Sequence, residues 1–459
     1  MHAPSVRTSD RLNRYLLVAL ATAFLLRAFM VAILLYTSGV PGVSSPDAPE
    51  YLAPMHDMLR GSFSTPNGPE LKRTPGYPIF LMLTGMAGNH PLLAVTCQVL
   101  LACFSVFLVY RIGTLLFQNG WVAVLGAGLY AIEPISIFYS VLLFAEALFT
   151  ALILLFLYQV IRYLCTASWS PLLWAALALS ASVYVKPIAY YLPVLCVLGF
   201  MVVPTSVRVP ARLARAGAFL ALCTILIGAW QVRNYVETGY SGFTSLSDTQ
   251  LYTYNAAGVL AHREHLDFFA ERDKLDHAAH PEQANWTIAQ RLAFQKHEAL
   301  RIIGQNRMLY AELHLRGMVT ALLDPAGTDI LRHLGLYPTI GGLESMVVNQ
   351  GIIKTMWWVL VHKPLVSILT IVIGLITAAY YLLAILGMES ASKQREIFIV
   401  LLLIAFYFIL VAGGPAGMGR YRYPIMPIVA LFAGAGLSRF IRSPRWEHAL
   451  RRKSTDTVR

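Results

Sequence analysis

The chain has 459 residues, of which 57% are hydrophobic and only 13% are charged. Soluble domains carry about 25% charged residues, so a water-facing globule is excluded, and runs such as 141–160 and 367–387 meet the length of about 20 apolar residues that a bilayer span needs. The net charge of +12 comes with no nucleic-acid motif, and the five cysteines, with no CxxC pair, read as small buried apolar residues rather than a disulfide framework or a metal site.

Hydropathy predicts an all-α polytopic membrane protein with about ten spans, at 14–36, 91–116, 120–138, 141–163, 169–185, 187–204, 213–233, 364–387, 396–412 and 422–441. The first run is too long for a signal-peptide core, contains Arg27 and lacks a small-residue cleavage site, so it is expected to be a retained helix. Segment 37–90 is polar and rich in Pro and Gly, with interfacial helices expected; its apolar stretch 79–86 is too short to span. Segment 234–363 holds most of the histidines and acidic residues. Ile288, Leu292, Leu300 and Ile303 fall at helical spacing there, which predicts a mostly helical loop with a wet face. The organisation is therefore an N-terminal bundle over 1–233 with a catalytic first loop, the 234–363 loop, a second membrane unit over 364–441 and a basic tail over 442–459. That tail carries Arg442, Arg445, Arg451, Arg452 and Lys453. Beside anionic lipid each such residue is worth about 1 kcal/mol.

Basic residues in short loops mark the cytoplasmic side. Arg7, Arg11, Arg14, Arg111, Arg162, Arg208, Arg212, Arg215, Lys393, Arg395 and the tail fall on one side. Both termini are thus expected in the cytoplasm, with 37–90 and 234–363 outside.

The few basic residues left on the outer side lie at helix ends beside Pro, Gly or aromatic residues. They are Arg73 in Arg73-Thr74-Pro75-Gly76-Tyr77-Pro78, Lys186 in Tyr184-Val185-Lys186-Pro187, Arg233 in Trp230-Gln231-Val232-Arg233-Asn234, and Arg420 and Arg422 in Gly419-Arg420-Tyr421-Arg422-Tyr423-Pro424. Singly, each reads as a snorkelling anchor. Together they form a clamp for an anionic head group, since arginine meets phosphate with two parallel donors. Asp47, just beyond the first span, is placed to accept a proton from an attacking hydroxyl, or else to cap the helix that follows; spacing leaves both open. Glu50 and Asp57 have weaker claims. Glu146, in an apolar run, is costly there unless partnered, and reads either as functional or as half of an ion pair with an outer arginine. Glu133 before Pro134 resembles it at a shallower position, and Arg27 pairs internally or reaches a head group. The loop histidines include His262-x-x-His265 and His280, without a third ligand to complete a metal site.

In order along the chain, Ser45-Pro46-Asp47 to Tyr51, Arg73-Thr74-Pro75-Gly76-Tyr77-Pro78, Phe144-Ala145-Glu146-Ala147, Lys186-Pro187, Trp230-x-x-Arg233-Asn234 and Gly419-Arg420-Tyr421-Arg422-Tyr423-Pro424 resemble the GT-C glycosyltransferases. The branch is the one holding protein O-mannosyltransferases, lipid A aminoarabinose transferases and bacterial lipopolysaccharide-core transferases. The resemblance implies a hexosyl or pentosyl transferase of the cell envelope, working at the extracytoplasmic face of a bacterial plasma membrane. Its donor would be a polyprenyl-phosphate sugar, its acceptor a lipid, glycan or protein hydroxyl, and its reaction a single inverting displacement. It further implies Asp47 as the base, Glu146 as its orienting partner, Arg73, Lys186, Arg233, Arg420 and Arg422 on the donor phosphate, and Glu50, Tyr51, Tyr77 and Tyr421 at the substrate. The family often places a second acidic residue directly after the loop aspartate. Here Ala48-Pro49 precedes Glu50, so no metal or other cofactor is expected.

A lipid-linked-sugar flippase, the main alternative, predicts inverted repeats and midplane ionisable groups; no repeat is visible in this sequence. An O-antigen polymerase or ligase also uses lipid-linked sugars and outer arginines, and residue chemistry does not separate it. A membrane scaffold would need neither Asp47 nor Glu146.

Overall fold

The computed structural model describes residues 6–65, 68–202, 208–277, 285–335, 346, 351–391 and 394–441. His280, Lys393 and the basic tail lie outside the described residues. The described residues are helical almost throughout, and the strands among them are a two-residue hairpin of Ser64–Thr65 against Gly68–Pro69.

Among the described residues, six helices are long and apolar enough to cross a membrane: Asp10–Ser38, Pro91–Phe117, Glu146–Thr166, Val209–Thr238, Pro364–Ala391 and Gly419–Ile441. Gly120–Ala131 and Pro134–Ser140, bent by 56°, make up to a seventh. The remaining expected spans are helical but shorter, at Trp169–Val185, Pro187–Met201 and Arg395–Val411. Length and apolarity therefore support six or seven spans among the described residues, and three further apolar helices stand where the sequence reading placed spans. Prolines explain two of the interruptions. Pro187 holds Lys186 in extended backbone (φ −141°, ψ 116°), because a residue before proline avoids the α conformation. Pro134 starts a new helix at the 56° bend, and the buried Glu133 caps it through bonds from the Ile135 and Ser136 amides (3.2 and 2.5 Å). That role replaces the shallow position expected for Glu133.

Arg27 is wholly buried and belongs to the same bend. It donates to the carbonyls of Ala23 and Ala131 and to Ser140 Oγ (3.0, 3.1 and 3.0 Å), satisfying a carbonyl freed where the helix stops. Pro364–Ala391 crosses the last helix at backbone distance. A Cβ on Gly387 would lie 1.9 Å from the Phe432 carbonyl oxygen, and one on Gly436 2.0 Å from that of Leu383. Only glycine permits that approach.

The first loop folds as a short turn (Val40–Val43) and helices Ala48–Met58 and Gly76–Leu83. The described parts of 234–363 are mainly helical, as the periodicity predicts. In Ile288–Gln305 the buried stripe runs through Leu292, Gln295, Ala299 and Ile302, while Leu300 is exposed. The stripe keeps Leu292 and then runs one position ahead of the expected Leu300 and Ile303, because Gln295 and Ala299, which carry little apolar signal, make the contact. Cys196 and Cys223 are buried as expected, Cys97 and Cys103 are partly so, and Cys165 is exposed at a helix end.

Candidate active site

The site starts where the first span ends. Leu143 N donates to the Val43 carbonyl (2.8 Å) and Ser45 Oγ to the Leu143 carbonyl (2.7 Å), so residues 43–45 are fastened to the 141–145 turn. Asp47 follows. It stands at the N-terminus of Ala48–Met58 yet makes no capping bond. Instead its Oδ2 accepts from Arg420 Nη1 at 2.9 Å, and its Oδ1 lies 3.4 Å from Arg73 Nη2. Burial pushes the Asp47 carboxyl up, but the Arg420 and Arg73 guanidiniums outweigh it and hold the group below its ordinary 3.8.

Glu146 comes from the other side. The apolar run 141–163 is not one helix, because the span begins only at Glu146. The turn before it exposes carbonyls that need donors. Gln98, fully buried in Pro91–Phe117, supplies them: Nε2 donates to Leu142 O (2.6 Å) and Ser140 O (3.3 Å), while Oε1 accepts from Tyr77 Oη (2.6 Å). Glu146 is 3% exposed and faces Lys186 Nζ at 2.9 Å and Arg420 Nε at 3.4 Å. Its place in the first helical turn also suits a negative charge. Arg420 therefore lies between the two carboxylates, its Cζ 4.5 Å from the centre of the Phe144 ring.

Arg73 completes the cluster. Its Nε and Nη2 reach one Glu50 oxygen (2.9 and 2.7 Å), its Nη1 donates to Tyr51 Oη (3.0 Å), and its Cζ lies 4.4 Å over the Tyr51 ring. Lys72 takes the second Glu50 oxygen at 2.8 Å. Burial raises the Glu50 carboxyl, but Lys72 and Arg73 together bring it below 4.5. Tyr51 packs edge-on against Tyr77, ring centres 4.8 Å apart. Gly76 explains how this loop reaches Lys186, because a Cβ there would lie 2.6 Å from the Tyr184 carbonyl oxygen. The two corners touch backbone to backbone.

Two expected phosphate ligands are not brought into this cluster. Arg233 donates to the carbonyls of Glu70 and Phe63 (2.9 and 2.7 Å) and stacks on Trp230, 5.0 Å from its ring centre, bracing the hairpin of the first loop. Arg422, 1% exposed, donates to the carbonyls of Leu322 (3.2 Å) and Asp324, closing the C-terminus of Arg307–Leu323. Both serve orphan carbonyls, a task their sequence context does not distinguish from phosphate binding. Tyr421 flanks Arg420, whose Cζ is 5.9 Å from its ring centre. Three supporting residues escaped the sequence reading, Gln98, Glu70 and Asp324, and Ser45 stood in it only as part of the first-loop motif. Glu70 accepts from the amides of Lys72 and Arg73 (2.5 and 2.8 Å), and its burial raises its carboxyl above 4.5. Asp324 accepts from the amides of Gly419 and Ala326 (2.7 and 2.9 Å), and burial raises its carboxyl too. An acidic residue two or three positions before a basic pair was the available signal for Glu70. Among the described residues, no three His, Cys, Asp or Glu side chains gather to hold a metal ion.

Residues 72–230 match the family described as dolichyl-phosphate-mannose-protein mannosyltransferase. That segment holds Arg73, Glu146 and Lys186 but neither Asp47 nor Arg420. The fold is similar to the archaeal oligosaccharyltransferase AglB from Archaeoglobus fulgidus, solved with an inhibitory peptide and a dolichol-phosphate. The TM-score is 0.55 at 13% identity, over 98% of this chain and 52% of that one. An apo crystal structure of the Archaeoglobus fulgidus oligosaccharyltransferase matches with a TM-score of 0.48 at 12% identity, over 94% and 52% of the two chains. The chain thus spans about half the length of these structures. A comparison with curated proteins finds no match. Residues 72–230 thus resemble that family, and the fold along nearly the whole chain is similar to that of the archaeal oligosaccharyltransferase.

Proposed function

We propose that the protein transfers a sugar from a polyprenyl-phosphate-linked donor to a hydroxyl of a lipid, glycan or protein acceptor by a single inverting displacement. The observation carrying this reading is the convergence of Asp47 and Glu146 with Arg73, Lys186 and Arg420 where the spans meet the first loop. Asp47 takes the acceptor's hydroxyl proton as the acceptor oxygen bonds to the anomeric carbon. The bond from that carbon to the phosphate oxygen breaks, and its electron pair leaves with the lipid phosphate. Arg73, Lys186 and Arg420 meet the added negative charge. Glu146 keeps Lys186 and Arg420 aimed, while Glu50 and Tyr51 orient Arg73. Tyr77 supports Tyr51 from below, and Tyr421 borders the sugar.

These cations supply the charge that a metal ion would otherwise bring, so the reaction is metal-independent in this reading. The prenyl chain stays in the bilayer, and the cluster at the helix ends reads phosphate and sugar at the interface. The protein works in a bacterial plasma membrane, with the cluster on the extracytoplasmic face and both termini in the cytoplasm.

The test incubates the purified chain in liposomes with radiolabelled polyprenyl-phosphate sugars and lipid, glycan and peptide acceptors. Label moving covalently from the lipid phosphate to an acceptor, with inverted anomeric configuration, is the expected result. Label that crosses the bilayer with its attachment unchanged would instead identify a flippase. Transfer only from lipid-linked glycan chains would identify a polymerase or ligase.

A further inference from the structure

The end of the bundle opposite the Asp47–Glu146 cluster carries further cations, seated on aromatic rings of the Glu146–Thr166 helix and the start of the helix after it. At 1.5 Å per residue, Arg162 stands ~24 Å along its helix from Glu146. Arg111 donates to Tyr158 Oη at 2.9 Å, and its Cζ and that of Arg162 lie 5.5 and 5.9 Å from the centre of the same Tyr158 ring. Arg215 sits between the rings of Tyr163 and Trp169, 6.0 and 5.7 Å from their centres, and its Nη1 is buried without a hydrogen-bond partner.

These partners are neutral. Arg111, Arg162 and Arg215 make no ion pair among the described residues, whereas Arg439 at the same end is matched by Glu389 at 2.8 Å. Two exposed guanidiniums on one phenol ring repel each other by about 1 kcal/mol or less in water, and an anion beside them turns that repulsion into attraction. The flank of the group is apolar and turned outward: Trp169, Leu173 and Trp174 are 47, 43 and 56% exposed on the helix that begins there. Tryptophan and tyrosine favour the head-group layer, and basic groups between membrane helices bind anionic head groups.

We propose that Arg111, Arg162 and Arg215 form a binding site for the phosphodiester head group of an anionic bilayer phospholipid, with Trp169 and Trp174 against its acyl chains. The site is separate from the sugar-transfer cluster and does not depend on the function assigned to that cluster. It gives the positive end of the bundle a defined ligand rather than a diffuse attraction.

Native mass spectrometry of the full chain in micelles of equal phosphatidylglycerol and phosphatidylcholine tests it. The wild type retains phosphatidylglycerol selectively. At roughly fivefold per arginine, the R111Q/R162Q/R215Q variant loses on the order of 100-fold in affinity. R439Q, whose arginine is already paired, leaves binding unchanged. Single variants R111Q, R162Q and R215Q each show the smaller loss and serve if the triple variant does not fold. Retention equal to wild type in the variants, or equal retention of phosphatidylcholine, overturns the proposal. Displacement of phosphatidylglycerol by the same concentration of inorganic phosphate overturns the lipid assignment, because the site would then read any anion.

Discussion

Arg420 Nη1 donates to Asp47 Oδ2 across 2.9 Å, although 373 residues separate them in sequence. The same guanidinium lies 3.4 Å from Glu146, so one side chain ties the first loop, the Glu146 helix and the last outer turn together. Asp47 is thereby held away from the capping role its position suggests, and is aimed where Arg73 and Lys186 also converge. Asp47→Asn keeps the shape and a hydrogen-bond acceptor but removes the proton acceptor. Its turnover is expected to fall by about 10²- to 10⁴-fold, with lipid-phosphate binding retained. Label transfer at saturating donor, beside a binding assay for the polyprenyl phosphate, measures both. Retained turnover would remove Asp47 as the base.

The charge around Asp47 also fixes the pH response. Its folded carboxyl lies below the ordinary 3.8, so the ion pair's contribution is complete above that value and is lost as pH falls through the lowered one. The acid limb of turnover is therefore expected below about pH 4, the ordinary aspartate range, and Arg73→Gln moves it upward. Glu70, raised above 4.5 by burial, has the opposite slope, its contribution being lost as pH rises through its folded value. Glu70→Gln therefore separates the two in pH-dependent melting. An acid limb near neutrality in the wild type would contradict this electrostatic picture.

Five of the clustered side chains, Asp47, Arg73, Glu146, Lys186 and Arg420, were legible in sequence because each is an ionisable group beside Pro, Gly or apolar residues, where a charge without a partner is expensive. Arg233 and Arg422 share that context, yet they serve carbonyls left over at a hairpin and a helix end, and nothing local reveals which acceptor an arginine finds. Gln98 was invisible for a different reason. A lone amide in an apolar stretch has no periodicity, and its value depends on a turn at 141–145 that hydropathy reads as helix. The fold class was readable from composition and the break at Lys186-Pro187 from the proline, whereas the 56° bend at Pro134 lies inside a run whose continuous apolarity conceals it.

Glu146 and Lys186 form a mostly buried pair, with 3% and 23% of their side chains exposed. Removing one partner strands the other charge. Glu146→Ala is expected to cost about 3–5 kcal/mol, read as a lowered denaturation midpoint. Glu146→Gln/Lys186→Met removes both charges and recovers most of that loss without recovering transfer. A double variant as unstable as Glu146→Ala would show that Arg420, not Lys186, is the partner that matters.

Gln98 connects the two halves of the site without touching either carboxylate. Its Oε1 accepts from Tyr77, which supports Tyr51 and through it Arg73, and its Nε2 donates to the turn that launches Glu146. Gln98→Leu leaves the Tyr77 hydroxyl buried without its acceptor and takes a donor from the Leu142 and Ser140 carbonyls, the former keeping Phe144 N at 2.7 Å, at about 1–3 kcal/mol for each group left orphaned. Tyr77→Phe in the same protein removes one of those orphans, so the double variant is expected to be less unstable than the two single losses combined. The coupling should fall within about 0.5–3 kcal/mol for residues in contact. Chemical denaturation of the four proteins measures it, with label transfer followed in parallel. Strict additivity would mean that the Tyr77–Gln98 bond carries none of the load between the first loop and the Glu146 turn.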